Sequence, residues 1–373
     1  MNQPHAPSSP RPQRILVLNA GSSTLKYALF EDSRVTESRT VQLSDKVSLK
    51  DTVRSVIESN RQWTLDAIAY RIVHGGKELT APTKINERVL AQLRETIRLA
   101  PLHQQPAIVT IETALDLCPH AVHVGCFDTA FHATMPVEER MLALPRTYFD
   151  AGIQRFGFHG LSYESIALQL PSISRRASHG HTVVCHLGSG SSLCGMTGCQ
   201  SRYTTMGFTP QDGLIMGTRC GRIDSGVVLH LLRNEHTLEQ VEQLLTKQSG
   251  LLGISGTSSD MRELIQQSNQ RPDAKLAVDM FCRCVAKEIS AAATALGGFD
   301  ALVFTAGMGE NCQLVRAKIV EHLKWLGARI DESANERNFT QLQAASSSIE
   351  ILRIPTDEQM IIQQHAQRLL SHD

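Results

Sequence analysis

The chain has 373 residues, 42% hydrophobic and 20% charged, enough for two globular domains with full cores. Lys+Arg and Asp+Glu both number 37, so no net charge favours nucleic acid or a membrane surface as partner. No apolar run reaches the length of a membrane span. Residues 1–13 are rich in Pro and Ser and read as a disordered tail. An apolar run, 15–18, then enters the turn Asn19-Ala-Gly-Ser-Ser-Thr24, and a second run leaves it through Phe30. A strand is expected over 67–73, ending in His74-Gly75-Gly76. Val89, Leu90, Leu93 and Ile97 recur at helical spacing and predict a helix over 86–99. A link, Ala100-Pro101-Leu102-His103, separates it from a helix near 106–117. A strand over 121–127 leads to Asp128.

A second hairpin occupies 182–203, with the tip Gly188-Ser-Gly-Ser-Ser192, and a Gly-rich loop covers 207–226. Thr237 and Gln240 have capping-box spacing and open a helix that is expected to stop near Gly250. A long helix over 273–296 is expected to bury Leu276, Met280, Phe281, Cys284, Val285, Ile289 and Leu296. A strand over 301–304 feeds the turn Thr305-Ala-Gly-Met-Gly-Glu-Asn311, which opens another helix. A last strand over 351–354 reaches Pro355-Thr-Asp-Glu358 and a terminal helix. Hairpins with strand–helix alternation in each half make an α/β protein. The two glycine tips rich in hydroxyls suggest a duplicated domain. The nine cysteines lack the spacing and histidine partners of a zinc site and read as reduced thiols of a cytoplasmic protein.

Three familiar motifs are missing. The sequence has no Gly-x4-Gly-Lys-Ser/Thr loop, no Gly-x-Gly-x-x-Gly after a strand and no Gly-x-Ser-x-Gly elbow. Phosphate oxygens must then be held by the hairpin tips, whose backbone N–H groups and hydroxyls suit them. Ordinary hairpin turns favour Asn-Gly or Asp-Gly, so two serine-rich tips argue against mere turns. Asp128 ends a buried strand, where α/β proteins place ligand sites, although an Asp there is as often a helix cap. Glu358 follows a strand and opens a helix, where it also suits the helix dipole. Either carboxylate suits magnesium, which takes few protein oxygens. Arg71 in an apolar strand and Arg219 in Met216-Gly-Thr-Arg219 need partners, either a structural carboxylate or a bound anion. His159 and His186 are each, taken alone, more often core histidines than catalysts. The 307–311 segment is either a plain strand–helix turn or a bed for a nucleoside.

Together these segments resemble the acetate kinase family from about Ile15 to the C-terminus. The motifs that carry the resemblance are Asn19-Ala-Gly-Ser-Ser-Thr-Leu-Lys26, Arg71-Ile-Val-His-Gly-Gly76, Ala100-Pro-Leu-His103 and Phe127-Asp-Thr-Ala-Phe-His132. Further along they are Phe156-Gly-Phe-His-Gly160, Cys185-His-Leu-Gly188, Met206-Gly-Phe-Thr-Pro210, Met216-Gly-Thr-Arg219, Ser258-Ser-Asp-Met-Arg262, Thr305-Ala-Gly-Met-Gly-Glu-Asn311 and Pro355-Thr-Asp-Glu358.

The resemblance implies two duplicated ribonuclease-H-like domains with an interdomain active-site cleft. The first would comprise 14–130 with 358–373, and the second, with the nucleotide site, 131–357. It further implies a homodimer without nucleic-acid or membrane partners and phosphoryl transfer between ATP and acetate. The cofactor would be Mg2+, with Mn2+ as an alternative, held by Asn19 and Glu358. Arg71, Asp128, His159 and Arg219 would be catalytic, with His159 and Arg219 stabilising the transition state. Arg71, Val73, Leu102, Phe158 and Pro210 would bind the acid. Lys26, His186, Leu187, Gly188, Ser189, Gly190, Asp260, Met261, Arg262, Gly307, Met308, Gly309, Glu310 and Asn311 would bind the nucleotide. The sequence departs from the family where Ser189 replaces a common asparagine, where Tyr163 stands for a second histidine, and around Gln104-Gln105-Pro106. A propionate or other short-chain acid kinase, a sugar kinase and a non-catalytic nucleotide switch are the alternatives.

Overall fold

The computed structural model describes residues 12–21, 24–43, 48–60, 64–99, 101–234 and 236–371, without the side chains at 98, 99 and 101–103. Residues 1–11 of the expected tail, and Ser22, lie outside the described residues. Gln13 is tied to the fold: its N–H donates to Asp32 Oδ1 at 3.0 Å, and its carbonyl accepts from Asp32 N–H at 2.7 Å. The chain divides into two compact units. One combines the chain up to Gly75 with Ala81–Phe127 and the segment from Glu358 onward; the other combines Gly76–Thr80 with Asp128–Asp357.

The first unit is built on β1 (Arg14–Ala20), β2 (Thr24–Glu31), β3 (Arg34–Gln42), β4 (Ala67–Ile72), β5 (Thr83–Lys84) and β6 (Val122–Phe127). Their order is β3-β2-β1-β4-β6-β5. The first three strands form an antiparallel meander, β4 runs parallel to β1, and β6 runs parallel to β4. Helices cover both faces of parallel strands, so such strands read as unbroken apolar runs. Accordingly Ile15, Leu16, Val17 and Leu18 are at most 1% exposed. The helix Glu358–Leu370 packs on β1, β4 and β6.

The second unit repeats the plan with β7 (His181–Leu187), β8 (Ser191–Thr197), β9 (Gln200–Thr204), β10 (Ala301–Thr305) and β11 (Glu350–Arg353), in the order β11-β10-β7-β8-β9. Again an antiparallel meander is followed by two parallel strands. This three-plus-two arrangement, found twice, is the duplication that the hairpin tips suggested. The short β5 is the first unit's addition.

Several expected boundaries move. The helix predicted over 86–99 is Glu87–Glu95, continued as a 3-10 turn, Thr96–Leu99. Of the expected link, residues 101–103 are instead the first turn of the helix Pro101–Leu117, and Ala100 lies outside the described residues. Proline is tolerated in a first helical turn, where an N–H would have no partner anyway. The capping box at Thr237 is present, but its helix stops at Lys247, short of Gly250. The segment after β10 does not merely open a helix: Ala306–Asn311 is one.

The largest correction concerns the helix Pro272–Leu296. Leu276 and Met280, expected in the core, are 50% and 41% exposed. Cys284 and Leu296 are only partly buried. The buried stripe runs through Ala274, Ala277, Val278, Phe281, Cys282, Val285, Ala286, Ile289 and Ala292. Four of these nine residues are alanines, which a reading weighted by residue size passed over. Phe281→Ala is therefore expected to cost about 3–5 kcal/mol. Leu276→Ala is expected to stay within about 0.5 kcal/mol of the parent. Denaturant midpoints of both variants check the assignment of faces; equal losses would refute it.

Candidate active site

In the first unit, the residues of interest gather at one end of the sheet. Asn19, next to last in β1, pairs with Lys26 across the hairpin, and the Lys26 side chain is exposed. Leu18 lies beside Tyr70 in the parallel register, and the next residue on each strand is Asn19 and Arg71. Glu358 begins the helix laid on these strands, and its Oε2 lies 3.8 Å from Arg71 Nε. Both side chains are about four-fifths buried, at 22% and 19% exposure. Val73 follows two residues after Arg71 and is half-buried. The Leu102 side chain lies outside the described residues.

Gln104 is a structural contributor that sequence reasoning treated only as a departure from a pattern. It accepts from His74 N–H at 3.2 Å and donates to His74 O at 2.9 Å and Thr96 Oγ1 at 2.7 Å. The turn after Arg71 and Val73 is thereby fixed to a helix. Nothing in the sequence set it apart from its neighbour Gln105.

In the second unit, Asp128 is 1% exposed, and its carbonyl accepts from Gly160 N–H at 2.8 Å. A Cβ at Gly160 would sit 2.2 Å from that oxygen, so only glycine fits. His159, in a left-handed conformation with φ 58°, precedes the helix Gly160–Ile173. Its ring stacks on His186 with centroids 4.1 Å apart. His159 Nδ1 lies 2.8 Å from Ser192 Oγ, and His186 Nδ1 lies 2.8 Å from Ser162 Oγ.

Arg219 donates to Pro210 O at 2.5 Å, and its Nη2 lies 2.7 Å from the point where a side chain on Gly190 would begin. Among the described residues it has no carboxylate partner. Burial pushes its pKa down from the ordinary value, yet an arginine keeps its charge at neutral pH. The loop carrying it is bolted in place: Gly217 N–H donates to Ser189 O, and Leu251 and Leu252 N–H donate to Met216 and Gly217 carbonyls.

Phe158 is 1% exposed, and its carbonyl accepts from His132 Nε2 at 3.0 Å. Because a carbonyl only accepts, the His132 proton sits on Nε2, and Nδ1 accepts from Ser201 Oγ at 2.8 Å. Pro210 is also buried.

A pocket of about 560 Å³ opens in this unit. It is lined by eight of the expected nucleotide residues: Gly188, Ser189, Asp260, Met261, Arg262, Gly307, Met308 and Asn311. Its size lies within the range of small-molecule sites. Gly217, Leu251, Ser259 and Cys312 also line it. Gly217 and Ser259 sit inside quoted motifs, whereas Leu251 and Cys312 carried no signal beyond being apolar. His186, Leu187, Gly190, Gly309 and Glu310 do not line it. Leu187 belongs to the hydrophobic core. The Glu310 carboxylate accepts from Ala306 N–H at 2.8 Å and Thr356 N–H at 3.2 Å, which ties the segment after β10 to the one after β11. Asp260 caps the helix Met261–Gln267, and Arg262, hydrogen-bonded to its carboxylate, holds its pKa below the usual range.

Among the described residues no cluster of three or more His, Cys, Asp or Glu is arranged for a metal. None of their helices is long and apolar enough to cross a membrane. The nine cysteines are free, four of them buried.

A duplicated three-plus-two sheet with a glycine-rich hairpin tip beside a pocket of this size is a ribonuclease-H-like α/β architecture, and the family to which the chain belongs makes it a phosphotransferase. The model of the Acetokinase family matches residues 56–364, and the chain belongs to that family. Acetate kinase of Rhodopseudomonas palustris (strain TIE-1) is 41% identical over 391 residues, covering 95% of this chain and 98% of its own. The crystal structure of a propionate kinase from Francisella tularensis superposes with a TM-score of 0.88 at 33% identity, covering 95% of this chain and 99% of that one. Porphyromonas gingivalis acetate kinase gives a TM-score of 0.86 at 30% identity, with 96% and 100% covered.

One pH dependence follows from His132. Burial lowers its pKa from 6.5 to about 4. The folded chain holds the neutral ring, so its contribution is complete above pH 6.5 and is lost as pH falls towards 4. The loss from this residue amounts to about 3 kcal/mol. Urea midpoints between pH 7.5 and 5 are expected to fall less steeply in His132→Asn than in the parent. Identical slopes would place the acid sensitivity elsewhere.

Proposed function

We propose that this chain catalyses reversible phosphoryl transfer from ATP to acetate, giving ADP and acetyl phosphate. The observation that carries this reading is Arg219, a largely buried guanidinium beside the Gly188–Gly190 tip with no carboxylate partner among the described residues. A buried cation without a protein anion suits a phosphate. The pocket lined by Gly188, Asp260 and Gly307 would take the nucleoside.

Arg71 would hold the acid's carboxylate. That acceptor is already ionised at neutral pH, so no general base is required. What is required is positive charge to bring two anions together and to align them in line. Arg71 and Arg219 supply the charge, and His159 a hydrogen-bond donor. Asp128 orients the centre. Val73, Leu102, Phe158 and Pro210 would wall the acid's methyl group. Asn19 and Glu358 offer hard oxygens, which suit Mg2+ bound through few protein ligands together with substrate phosphates. The ion would neutralise phosphate charge. The free cysteines fit a cytoplasmic setting.

A second reading, a propionate kinase, is favoured by the Francisella tularensis relative. Acid-dependent ADP formation with acetate, propionate and butyrate decides between them. Acetate is expected to give the highest kcat/KM, and ADP formation indifferent to any acid would overturn both readings. Arg71→Ala and Arg219→Ala are each expected to lose about 10³-fold or more in turnover with circular dichroism unchanged. Val73→Ala, which removes two methyls, is expected to move the specificity ratio towards propionate by about ten-fold. An unchanged ratio would place the acid pocket elsewhere.

Pairing of two copies is proposed through the helix Ser225–Arg233. None of its residues is buried, and Val227, Leu229 and Leu232 are 43%, 50% and 38% exposed. A run of exposed apolar side chains on one helix marks an interaction surface. Leu229→Glu is expected to convert a dimer to a monomer in light scattering; a parent that is already monomeric would refute the pairing.

A further inference from the structure

His159 is connected to more than the stacked ring of His186. Its Nδ1 lies 2.8 Å from Ser192 Oγ, and that hydroxyl lies 2.5 Å from the phenol oxygen of Tyr163. Tyr163 is fully buried. Burial pushes the phenol well above its ordinary value, so it keeps its proton, and its hydrogen-bond partner is the Ser192 hydroxyl. The phenol proton then goes to Ser192 Oγ. Ser192 has a single hydroxyl proton, and the acceptor left for it is His159 Nδ1. A neutral imidazole that accepts at Nδ1 carries its hydrogen on Nε2.

Nε2 is also the atom turned to the hairpin tip. It lies 3.4 Å from the point where a side chain on Gly190 would begin, and Arg219 Nη2 lies 2.7 Å from the same point. We infer that Tyr163 and Ser192 are positioning residues that fix His159 as the Nε2–H tautomer, so that a hydrogen-bond donor stands beside the Arg219 guanidinium and faces the same anion. The His186 ring, itself held by Ser162, sets the plane of the His159 ring. The hydroxyl chain runs one way, from phenol to serine to imidazole, and it ends at the site. This inference rests on reading that site as a phosphoryl site.

The test is a two-bond ¹H–¹⁵N correlation spectrum of the whole labelled chain at pH 8, with His159 assigned by difference against His159→Asn. The parent is expected to show Nε2 protonated and Nδ1 bare. Ser192→Ala is expected to show both tautomers, and Ser192→Thr, which keeps the hydroxyl, to restore the single one. Acid-dependent kcat is expected to fall about ten-fold in Ser192→Ala, with both KM values within about two-fold. This is less than the hundred-fold or more that accompanies outright loss of an oxyanion donor. Tyr163→Phe is expected to fall between parent and Ser192→Ala in both readouts. A parent with the proton on Nδ1, or a Ser192→Ala spectrum identical to the parent's, overturns the inference. The spectrum needs no turnover. An absence of acid-dependent turnover in the parent would therefore count against the proposed function and leave the tautomer assignment to the spectrum.

Discussion

The second unit depends on how closely the Arg219 guanidinium approaches the backbone at Gly190. With Nη2 only 2.7 Å from where a Cβ would begin, any other residue at 190 would displace the charge. That approach is possible because the hairpin tip and the arginine's loop are joined by backbone bonds, above all Gly217 N–H to Ser189 O. Neither segment is a helix or a strand at that point, so neither is rigid alone. Together they hold a cation in a place where water only partly reaches it. Desolvating a charge is costly, and the cost is recovered when an anion arrives.

Much of this was legible in the sequence because its signals were local. Apolar runs broken by Gly-Ser-rich tips gave both hairpins, and the return of the pattern gave the duplication. The Thr237 capping box was read from residues three positions apart and is present as read. Eight of the fourteen expected nucleotide residues line one pocket, because motif and pocket coincide after β7, after β10 and at the start of the helix Met261–Gln267.

What the sequence hid were interactions whose partners are far apart along the chain. Glu310 looked like part of a nucleoside bed, yet its carboxylate bonds the backbone at 306 and 356. Gln104 looked like a substitution, yet it clamps His74 thirty positions away. Tyr163 looked like a lost histidine, yet from the helix Gly160–Ile173 it reaches Ser192 on β8. The outer face of Pro272–Leu296 was misread for a related reason. Leucine and methionine outweigh alanine on any hydrophobicity scale, but the buried stripe of this helix holds four alanines.

The first unit is discontinuous: its sheet is complete at Phe127, but the helix that covers β1, β4 and β6 begins only at Glu358. During synthesis at about 5–20 residues per second, the ribosome must therefore make the whole of Asp128–Asp357 while the apolar face of β1 waits uncovered. The second unit, drawn almost entirely from one uninterrupted stretch, has all of its strands before the first unit has its last helix. The second unit can thus be completed before the first, and the nascent chain carries an exposed sheet face until Glu358 and the helix it opens have been made. That interval is when the chain is most open to chaperones and to mispairing with its neighbours.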